Sequence, residues 1–380
     1  MIASLRRTWG VMLKEVREVR RDIRSLSLLL LLPALMIMLY GYALTFDVKH
    51  IATVVLDQDR TADSREFTDG LFRSEYFDLV GTITRLSDAD DWLNTGISRV
   101  VMVIPRDFGE RVRRLERVSV QMLIDGTNSN SANTAIGYLN GMVMRYTIAK
   151  TREALAARGL KQPPQLITIE PRVWYNPTLE SSRFLIPGVI GFILMLVGVV
   201  ATALSVVKEK ERGTMEQIRV SPVKSGEFIV GKTLPYLLIC LLTTVLTLVV
   251  SIVFFDMPVM GSWWWLFIST VVFLLGGLGF GLFVSTIAET QQVAFLIALI
   301  VTMLPSMILS GLIFPIASMP EVLQWITYII PPRHYITILR GIMLKGTGVG
   351  TWTMELLILT AFAGAMMVIA SIRLHRQRVK

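Results

Sequence analysis

The sequence contains a single cysteine, Cys240, so the chain can form no intrachain disulfide bond. Histidine is almost as scarce, with three residues in the whole chain. In the long polar segment 45–182, whose only histidine is His50, no metal-ligand cluster, Ser/His/Asp set or Cys/His pair stands out in the sequence. The sequence therefore gives no catalytic site in that segment.

Charged residues are also few: they make up 18% of the chain, against 53% hydrophobic residues and a mean hydropathy of +0.57. Soluble domains usually carry about 25% charged residues. Asp, Glu, Lys and Arg are absent from five long stretches and from a shorter sixth one at 356–372. A helix crosses a bilayer with about 17 to 25 apolar residues. The sequence therefore predicts a membrane protein with six spans, at residues 25–46, 184–207, 233–255, 263–288, 290–312 and 350–372.

The surplus of basic residues is concentrated in three short segments. Lys and Arg outnumber Asp and Glu by seven to three in residues 1–25, by six to four in 208–232 and by four to none in 373–380. Because short cytoplasmic loops carry an excess of Lys and Arg, these segments are predicted to face the cytoplasm, which places both termini inside. In segment 45–182, 17 basic residues nearly cancel 18 acidic ones, and its length predicts translocation to the outside regardless of charge.

Residues 1–24 are predicted to form an amphipathic helix at the cytoplasmic membrane interface. Apolar side chains fall close to one face of this helix, and basic ones fill much of the rest: Arg6, Arg7, Lys14, Arg17, Arg20, Arg21 and Arg24. Such a helix lies along the membrane surface with its arginines toward anionic head groups. The alternative is that the segment is only a charged flank of the first span.

Residues 47–182 are predicted to form one α/β domain on the outer side. Segments rich in β-branched and apolar residues are predicted as strands, at 52–57, 78–83, 99–105, 118–125 and 166–175. The segments between them are predicted as helices, at 63–77, 88–94, 107–116 and 131–158. The stretch DGTNSNSANTA (125–135) is predicted as a polar turn and helix start, with a ligand-binding loop as the alternative.

The segment GEFIVGKT (226–233) fits the phosphate-binding pattern G-x-x-x-x-G-K-[ST] letter for letter. Its four intervening residues place bulky side chains where phosphates need bare backbone, and a membrane span follows it directly. We therefore predict no nucleotide site here, and we interpret Lys232 as an interface lysine that reaches toward the head groups. The glycines of LLGGLGFGLF (274–283) approximate a dinucleotide-binding fingerprint, but they lie in the fourth span, where small residues let helices approach closely.

The segment ERGTMEQIRVSP (211–222), followed by Gly231 and Lys232, resembles the first cytoplasmic loop of ABC-2 type transporter permeases. Three further segments resemble the bacterial drug and multidrug exporter branch of that family: DGTNSNSANTA (125–135), RVWYNPTLESSRFLIPG (172–188) and PPRHYITILRGIMLKG (331–346). Together these resemblances cover essentially the whole chain. They imply an α-helical polytopic membrane protein of the ABC-2 type, with six transmembrane helices and an inserted extracytoplasmic α/β domain.

The resemblance also implies how the chain is powered. A short helix in the cytoplasmic coupling loop 208–232 would enter a cleft of a separate cytosolic ATP-binding subunit and carry its closure to the spans, with Met215 and Ile218 as an apolar anchor. The coupling residues would be Glu209, Glu211, Arg212, Gly213, Thr214, Met215, Glu216 and Gln217. ATP and Mg²⁺ would be bound by the partner, so this chain would bind no cofactor and would not be an enzyme. The alternative is a solvated basic loop that only sets topology.

Further implied partners are a second copy or a paralogue of the permease, membrane lipids and, in a drug-efflux assembly, a periplasmic adaptor; no nucleic acid is expected. The second and fifth spans would line the cargo route at the dimer seam, with these candidate residues: Phe192, Met195, Phe295 and Met303. Residues 313–346 resemble the family's external re-entrant hairpin, whose basic residues would meet lipid phosphates or anionic cargo: Arg333, His334 and Arg340. The alternative for these three is a structural role at the interface.

The predicted function is outward movement of a hydrophobic or amphiphilic cargo, such as a drug or a lipid-like molecule, across the bacterial inner membrane. Hydrolysis of ATP by the partner would drive it. Two alternatives stay open: a membrane-anchored receptor or scaffold that moves no substrate, and an ion-coupled secondary efflux carrier. The lack of charged residues in the five longer spans argues against the carrier, although carbonyl and hydroxyl oxygens can also bind Na⁺.

Overall fold

The computed structural model describes residues 2–43, 50–127, 129–157, 175 and 180–379. The chain forms two compact units: a membrane unit of residues 1–45 and 173–380, and an inserted unit of residues 46–172. Elements are numbered in chain order across both units.

The described elements of the membrane unit are helices. The α-helices are α1 (Ile2–Arg21), α2 (Ile23–Ala43), α7 (Ser181–Glu211), α8 (Thr214–Val220), α9 (Ser225–Phe255), α10 (Trp263–Ile287), α11 (Gln291–Ile308), α12 (Glu321–Thr327), α13 (Pro331–Arg340) and α14 (Thr353–Val379). Six of them contain stretches long and apolar enough to cross a membrane, namely α2, α7, α9, α10, α11 and α14. The chain is therefore a multi-pass membrane protein, and each of these six helices overlaps one of the six predicted spans.

Four of these helices extend beyond the predicted spans, and α2 does so only at its start, Ile23. α7 continues past the predicted end at residue 207, α9 begins before the predicted start at residue 233, and α14 continues past residue 372. The predicted coupling loop 208–232 is therefore reduced to residues 212–224, which include α8. The phosphate-binding pattern at 226–233 lies entirely within α9, so its backbone is a continuous helix and not a loop that could wrap a phosphate.

α7 lies at the centre of the membrane unit and contacts α2, α9, α10, α11 and α13. Its approach to α10 is close, because a Cβ atom on Gly281 would lie 2.3 Å from the carbonyl oxygen of Val199 and 2.1 Å from Oγ1 of Thr202. Thr202 Oγ1 also donates a hydrogen bond of 3.0 Å to the carbonyl oxygen of Leu278 on α10. The interpretation of the 274–283 glycines as helix-packing residues is confirmed.

In its described residues, the inserted unit packs helices on a four-stranded sheet. Its elements are β1 (Ile51–Asp57), α3 (Ala62–Phe72), β2 (Phe77–Thr82), α4 (Asp88–Asn94), β3 (Val100–Ile104), α5 (Phe108–Arg114), β4 (Gln121–Ile124) and α6 (Ser129–Ala157). The strand order is β2-β1-β3-β4, with β1 parallel to both of its neighbours and β4 antiparallel to β3. The fifth predicted strand, at 166–175, lies outside the described residues except for Tyr175.

Alternation along the strands of the inserted unit separates two apolar clusters. Val55 and Met102 belong to one cluster, which also includes buried side chains of α3, α5 and α6. Their neighbours Val54 and Val101 belong to the second cluster, with Ala89 of α4. Successive side chains of a strand point to opposite faces, so the sheet is covered on one face by three helices and on the other by α4. The predicted α/β pattern of this segment is thus found in the described residues.

Candidate functional site

The turn between α7 and α8 contains the predicted coupling residues. Arg212 caps the C-terminus of α7, and Gly213 then takes a left-handed conformation with φ of 71°. Glycine favours this position because it lacks the Cβ that makes the left-handed region unfavourable for other residues. Thr214 begins α8 and its Oγ1 donates a hydrogen bond of 3.2 Å to the carbonyl oxygen of Glu209. The short helix predicted near Glu211 to Gln217 is therefore found slightly later in the chain, after the reversal at Gly213.

One side of α8 packs against the membrane helices, and another side is exposed. Met215 is 5% exposed and packs in a cluster with side chains of α7, α9, α10 and α14. Its contacts are thus with its own chain, and it anchors α8 to the membrane helices rather than pointing outward. Glu216 is exposed, and Val220 at the end of α8 is 88% exposed. The side chain of Gln217 lies outside the described residues.

The end of α7 is bonded to the two helices that follow α9. Lys210 Nζ donates to the carbonyl oxygens of Ser285 and Ala288 at the C-terminus of α10. Glu211 accepts a hydrogen bond of 2.6 Å from the backbone N–H of Gln291, the first residue of α11, and another from the Gln291 side chain. Lys210 thus satisfies unpaired carbonyl groups at the C-terminus of α10, and Glu211 satisfies an unpaired N–H group at the N-terminus of α11. Each charge also interacts favourably with the dipole of the helix that it meets. These contacts connect the turn at α8 to α10 and α11.

A buried ion-pair cluster, formed by Glu15, Ser205, Glu209 and Lys232, joins α1, α7 and α9. Glu15, Glu209 and Lys232 are each at most 3% exposed. Lys232 Nζ lies 2.8 Å from Glu15 Oε1 and 3.4 Å from Glu209 Oε1, and it donates a hydrogen bond of 2.7 Å to Ser205 Oγ. Ser205 Oγ donates in turn to Glu15 Oε2, at 3.2 Å. Lys232 is therefore a buried ion-pair partner, and its predicted role as an interface lysine is wrong.

The charges of the buried ion-pair cluster are balanced. Lys14 forms a second ion pair with Glu209, so two ammonium groups face two carboxylates. An unpaired charge in a low-dielectric interior costs several kcal/mol, and this balance makes the burial tolerable. Desolvation nevertheless outweighs the attraction of Lys232 and raises the pKa of the Glu15 carboxyl. The sequence places Glu209 and Lys232 in a loop and does not predict this cluster. Their partners Lys14 and Glu15 lie far away in sequence, on α1.

Further ion pairs fasten α1 along its length. Arg7 makes a bidentate pair with Glu227 on α9, with Nε 2.9 Å from Oε2 and Nη2 2.8 Å from Oε1. Asp22, which follows α1, lies 3.1 Å from Lys208 Nζ on α7. Bidentate guanidinium–carboxylate pairs fix geometry as well as charge. The predicted amphipathic helix is therefore found as α1, and its polar face packs against α7 and α9 rather than facing only solvent.

The four predicted cargo-path residues do not share a surface within the chain. Phe192 and Met195 are buried in α7: the Phe192 ring packs edge-on against Tyr40 with centroids 6.4 Å apart, and Met195 lies against α10 beside Gly277. Phe295 on α11 is exposed, and Met303 is half-buried. α7 and α11 do contact each other. The first two residues contribute to the core of the subunit, whereas Phe295 faces outward.

The three predicted hairpin residues bond to the protein itself. Arg333 stacks on the Tyr328 ring at 3.7 Å, and His334 Nε2 lies 2.9 Å from the Tyr328 carbonyl oxygen. Burial lowers the pKa of His334, which favours the neutral ring. Arg340 donates hydrogen bonds of 3.0 Å to the carbonyl oxygens of Phe184 and Gly311, and burial lowers its pKa to about 10. These contacts favour the structural alternative for the three residues.

Comparison with known proteins agrees with this architecture. The family described as "ABC-2 family transporter protein" matches residues 23–372. The chain is 33% identical over 346 residues to the "Probable multidrug ABC transporter permease YbhS" of Escherichia coli K12, covering 91% of this chain and 90% of that protein. It is 30% identical over 362 residues to the "Probable multidrug ABC transporter permease YbhR" of the same organism, covering 94% and 96%.

A eukaryotic relative shows the same segment within a longer chain. The protein is 25% identical over 340 residues to "ABC transporter G family member 20" of Dictyostelium discoideum, and the match covers 87% of this chain but 45% of that protein. The family match, the two bacterial relatives and the six apolar helices point to one conclusion. The chain belongs to the ABC-2 family of transporter proteins.

Proposed function

We propose that this chain is the membrane permease subunit of an ABC exporter, and that α8 is the element on which a separate ATP-binding subunit acts. The observation that carries the proposal is the geometry of α8. The helix is anchored to the spans through Met215, while Val220 at its end is exposed to 88%. A largely exposed apolar side chain at the end of a short helix suits insertion into a cleft of a protein partner.

The contacts around α8 explain how motion would spread from it. α8 is joined to α7 by the short turn at Gly213, and the end of α7 is bonded to α10 and α11 through Lys210 and Glu211. The buried ion-pair cluster joins the same end of α7 to α1 and α9. A displacement of α8 therefore acts on five helices. In such a transporter, ATP binding at the partner shifts the equilibrium between two arrangements of the spans.

The membrane orientation and the cargo follow from the same proposal. Both termini and α8 face the cytoplasm of a bacterial inner membrane, and the inserted unit lies on the outer side. The permease acts as a dimer with a second copy or a paralogue. The cargo is hydrophobic or amphiphilic, which agrees with the multidrug permeases named among the relatives and with the exposed apolar side chains of α11, such as Phe295 and Leu304.

A paired substitution tests the role of α8. Val220→Glu places a charge on the exposed end of α8, and Val80→Glu places one on an exposed valine of the inserted unit. Both changes lie on the surface, where substitutions usually cost under about 0.5 kcal/mol in stability. We expect Val220→Glu to abolish cargo-stimulated ATP hydrolysis and weaken co-purification of the ATP-binding subunit, while Val80→Glu leaves both unchanged. Equal behaviour of the two variants would contradict the assignment of α8.

One observation favours the ion-coupled carrier as a second candidate. The extended bounds of α7 and α9 bring Glu209 and Lys232 into helices that cross the membrane, so the spans are less free of charge than the sequence indicated. A buried carboxyl with a raised pKa, such as Glu15, is also a group that could carry a proton. Proteoliposomes that contain this chain alone decide between the two. Uptake driven by a pH gradient without any ATP-binding subunit would favour the carrier.

A further inference from the structure

A groove of about 760 Å³ lies between α1 and the end of α7. Five basic side chains and two acidic ones line it: Lys14, Arg17, Arg21, Lys208 and Arg212, with Glu18 and Asp22. The groove therefore has a clear excess of positive charge. It adjoins the turn that leads into α8, because Arg212 caps α7 there.

The acidic side chains of the groove are already paired, whereas two arginines are not. Asp22 lies 3.1 Å from Lys208, and Glu18 lies 3.5 Å from Arg212. Among the residues that the structure describes, no ion pair or hydrogen bond joins the guanidinium groups of Arg17 and Arg21 to any partner, and both residues are exposed. Being four positions apart, they lie about 6 Å apart along one face of α1. Two adjacent guanidinium groups match the geometry of a phosphate.

A second feature of α1 indicates what kind of phosphate the groove takes. Leu5, Trp9 and Val16 are exposed and, at about 100° per residue, fall within about 40° of one another around the helix. This apolar stripe lies roughly a third of a turn away from Arg17 and Arg21. The polar face opposite packs against α7 and α9 through the ion pairs described above. A soluble anion would use only the arginines, whereas a lipid would use both the arginines and the stripe.

We propose that the groove binds the head group of an anionic glycerophospholipid from the adjoining membrane leaflet. Arg17 and Arg21 hold the phosphate, Lys208 and Arg212 supply the positive wall opposite, and the acyl chains lie along the stripe of Leu5, Trp9 and Val16. A lipid bound here touches the last turn of α7, so its presence would act on the position of α8. This inference does not depend on the cargo or on ATP hydrolysis.

The test uses the purified full-length chain and native mass spectrometry with phosphatidylglycerol or phosphatidylcholine as the added lipid. The groove variant Arg17→Gln with Arg21→Gln is compared with a control, Arg6→Gln with Arg20→Gln, which removes the same charge from exposed positions of α1 outside the groove. Because it loses two basic contacts, the groove variant is expected to bind phosphatidylglycerol roughly tenfold to thirtyfold more weakly. The control is expected to change binding less than about threefold, since exposed charges act through screened long-range attraction.

Several results would overturn the proposal. Equal losses in the two double variants would mean that the charge of α1 acts only as a general surface potential. Equal binding of phosphatidylcholine, whose head group has a phosphate but no net charge, would show that the groove does not select anionic lipids. Displacement of the lipid by glycerol 3-phosphate at similar concentration would assign the groove to a soluble phosphate. Exclusion of the lipid when the ATP-binding subunit is added would assign the groove to that protein. Selective binding that is lost in the groove variant alone supports the proposal.

Discussion

Removal of the buried ammonium group of Lys232 tests whether the cluster with Glu15 and Glu209 holds α1, α7 and α9 together. Lys232→Met keeps an apolar stem of similar length but leaves two buried carboxylates with only Lys14 nearby. Breaking a buried ion pair by removing one partner costs about 3–5 kcal/mol. At about 2–4 °C per kcal/mol for a unit of this size, the midpoint of thermal unfolding is expected to fall by roughly 6 °C or more.

The loss should also depend on pH with a definite sign. Burial already raises the folded-state pKa of Glu15, and the loss of Lys232 removes the attraction that opposes this shift. A carboxyl whose pKa is higher in the folded state binds its proton more tightly there, so its contribution to stability is present at low pH and is lost as pH rises through the folded-state pKa. The variant is therefore expected to recover part of its stability as the pH falls from neutrality.

Thermal unfolding of the detergent-purified chain, followed by intrinsic fluorescence over a range of pH, measures both effects. Lys224→Met is the matched control, because Lys224 lies at the start of the same helix but is exposed. A second variant, Lys232→Met with Glu15→Gln, removes one uncompensated carboxylate and is expected to be more stable than Lys232→Met alone. The reasoning is refuted if Lys232→Met and Lys224→Met shift the midpoint equally, or if the second substitution adds a further loss of the same size.

Two further predictions concern glycines at which a side chain is costly. Gly213→Val forces a β-branched residue into a left-handed conformation, which costs about 1–3 kcal/mol locally. This change should lower cargo-stimulated ATP hydrolysis. Gly226→Ala adds a methyl group in open space within α9 and should leave the hydrolysis unchanged. Gly281→Ala places a Cβ 2.1 Å from Thr202 Oγ1 and should lower the thermal midpoint by several degrees, whereas Gly364→Ala, with nothing within 4 Å, should leave it unchanged or raise it. If the control variant of either pair showed the larger loss, the result would count against the packing described.

The parts of the fold that could be predicted depend on long or periodic patterns. Six uncharged stretches mark the spans because no other arrangement buries so many consecutive apolar residues. The consecutive apolar and β-branched residues of β1 and β3, such as Val54 and Val55, mark strands covered on both faces. Neither signal depends on distant partners in the chain, which is why both agree with the structure.

The ends of α7 and α9 could not be predicted because they depend on contacts far apart in sequence. In the sequence, Glu209 and Lys232 have the pattern of charged residues in a loop. They lie within helices because Lys232 pairs with Glu209 and with Glu15 of a separate helix. Hydropathy also does not tell which face of a membrane-spanning helix is buried in the protein. Phe192 and Phe295 have the same side chain in neighbouring spans, yet one is buried in the subunit and the other is exposed. Glu15 directly precedes Val16 and lies about 100° from it around α1, beside the apolar stripe, so helical periodicity alone did not single it out.

The central claim is that this chain is a membrane subunit moved from α8 by an ATPase that resides on another polypeptide. Dye export by proteoliposomes, measured with and without the ATP-binding subunit on addition of ATP, tests it most directly. The account predicts ATP-dependent export only when both proteins are present, and no ATP binding by the purified chain alone, because 226–233 is helical and Lys232 is already paired. ATP hydrolysis by this chain alone, or export without the second subunit, would contradict it.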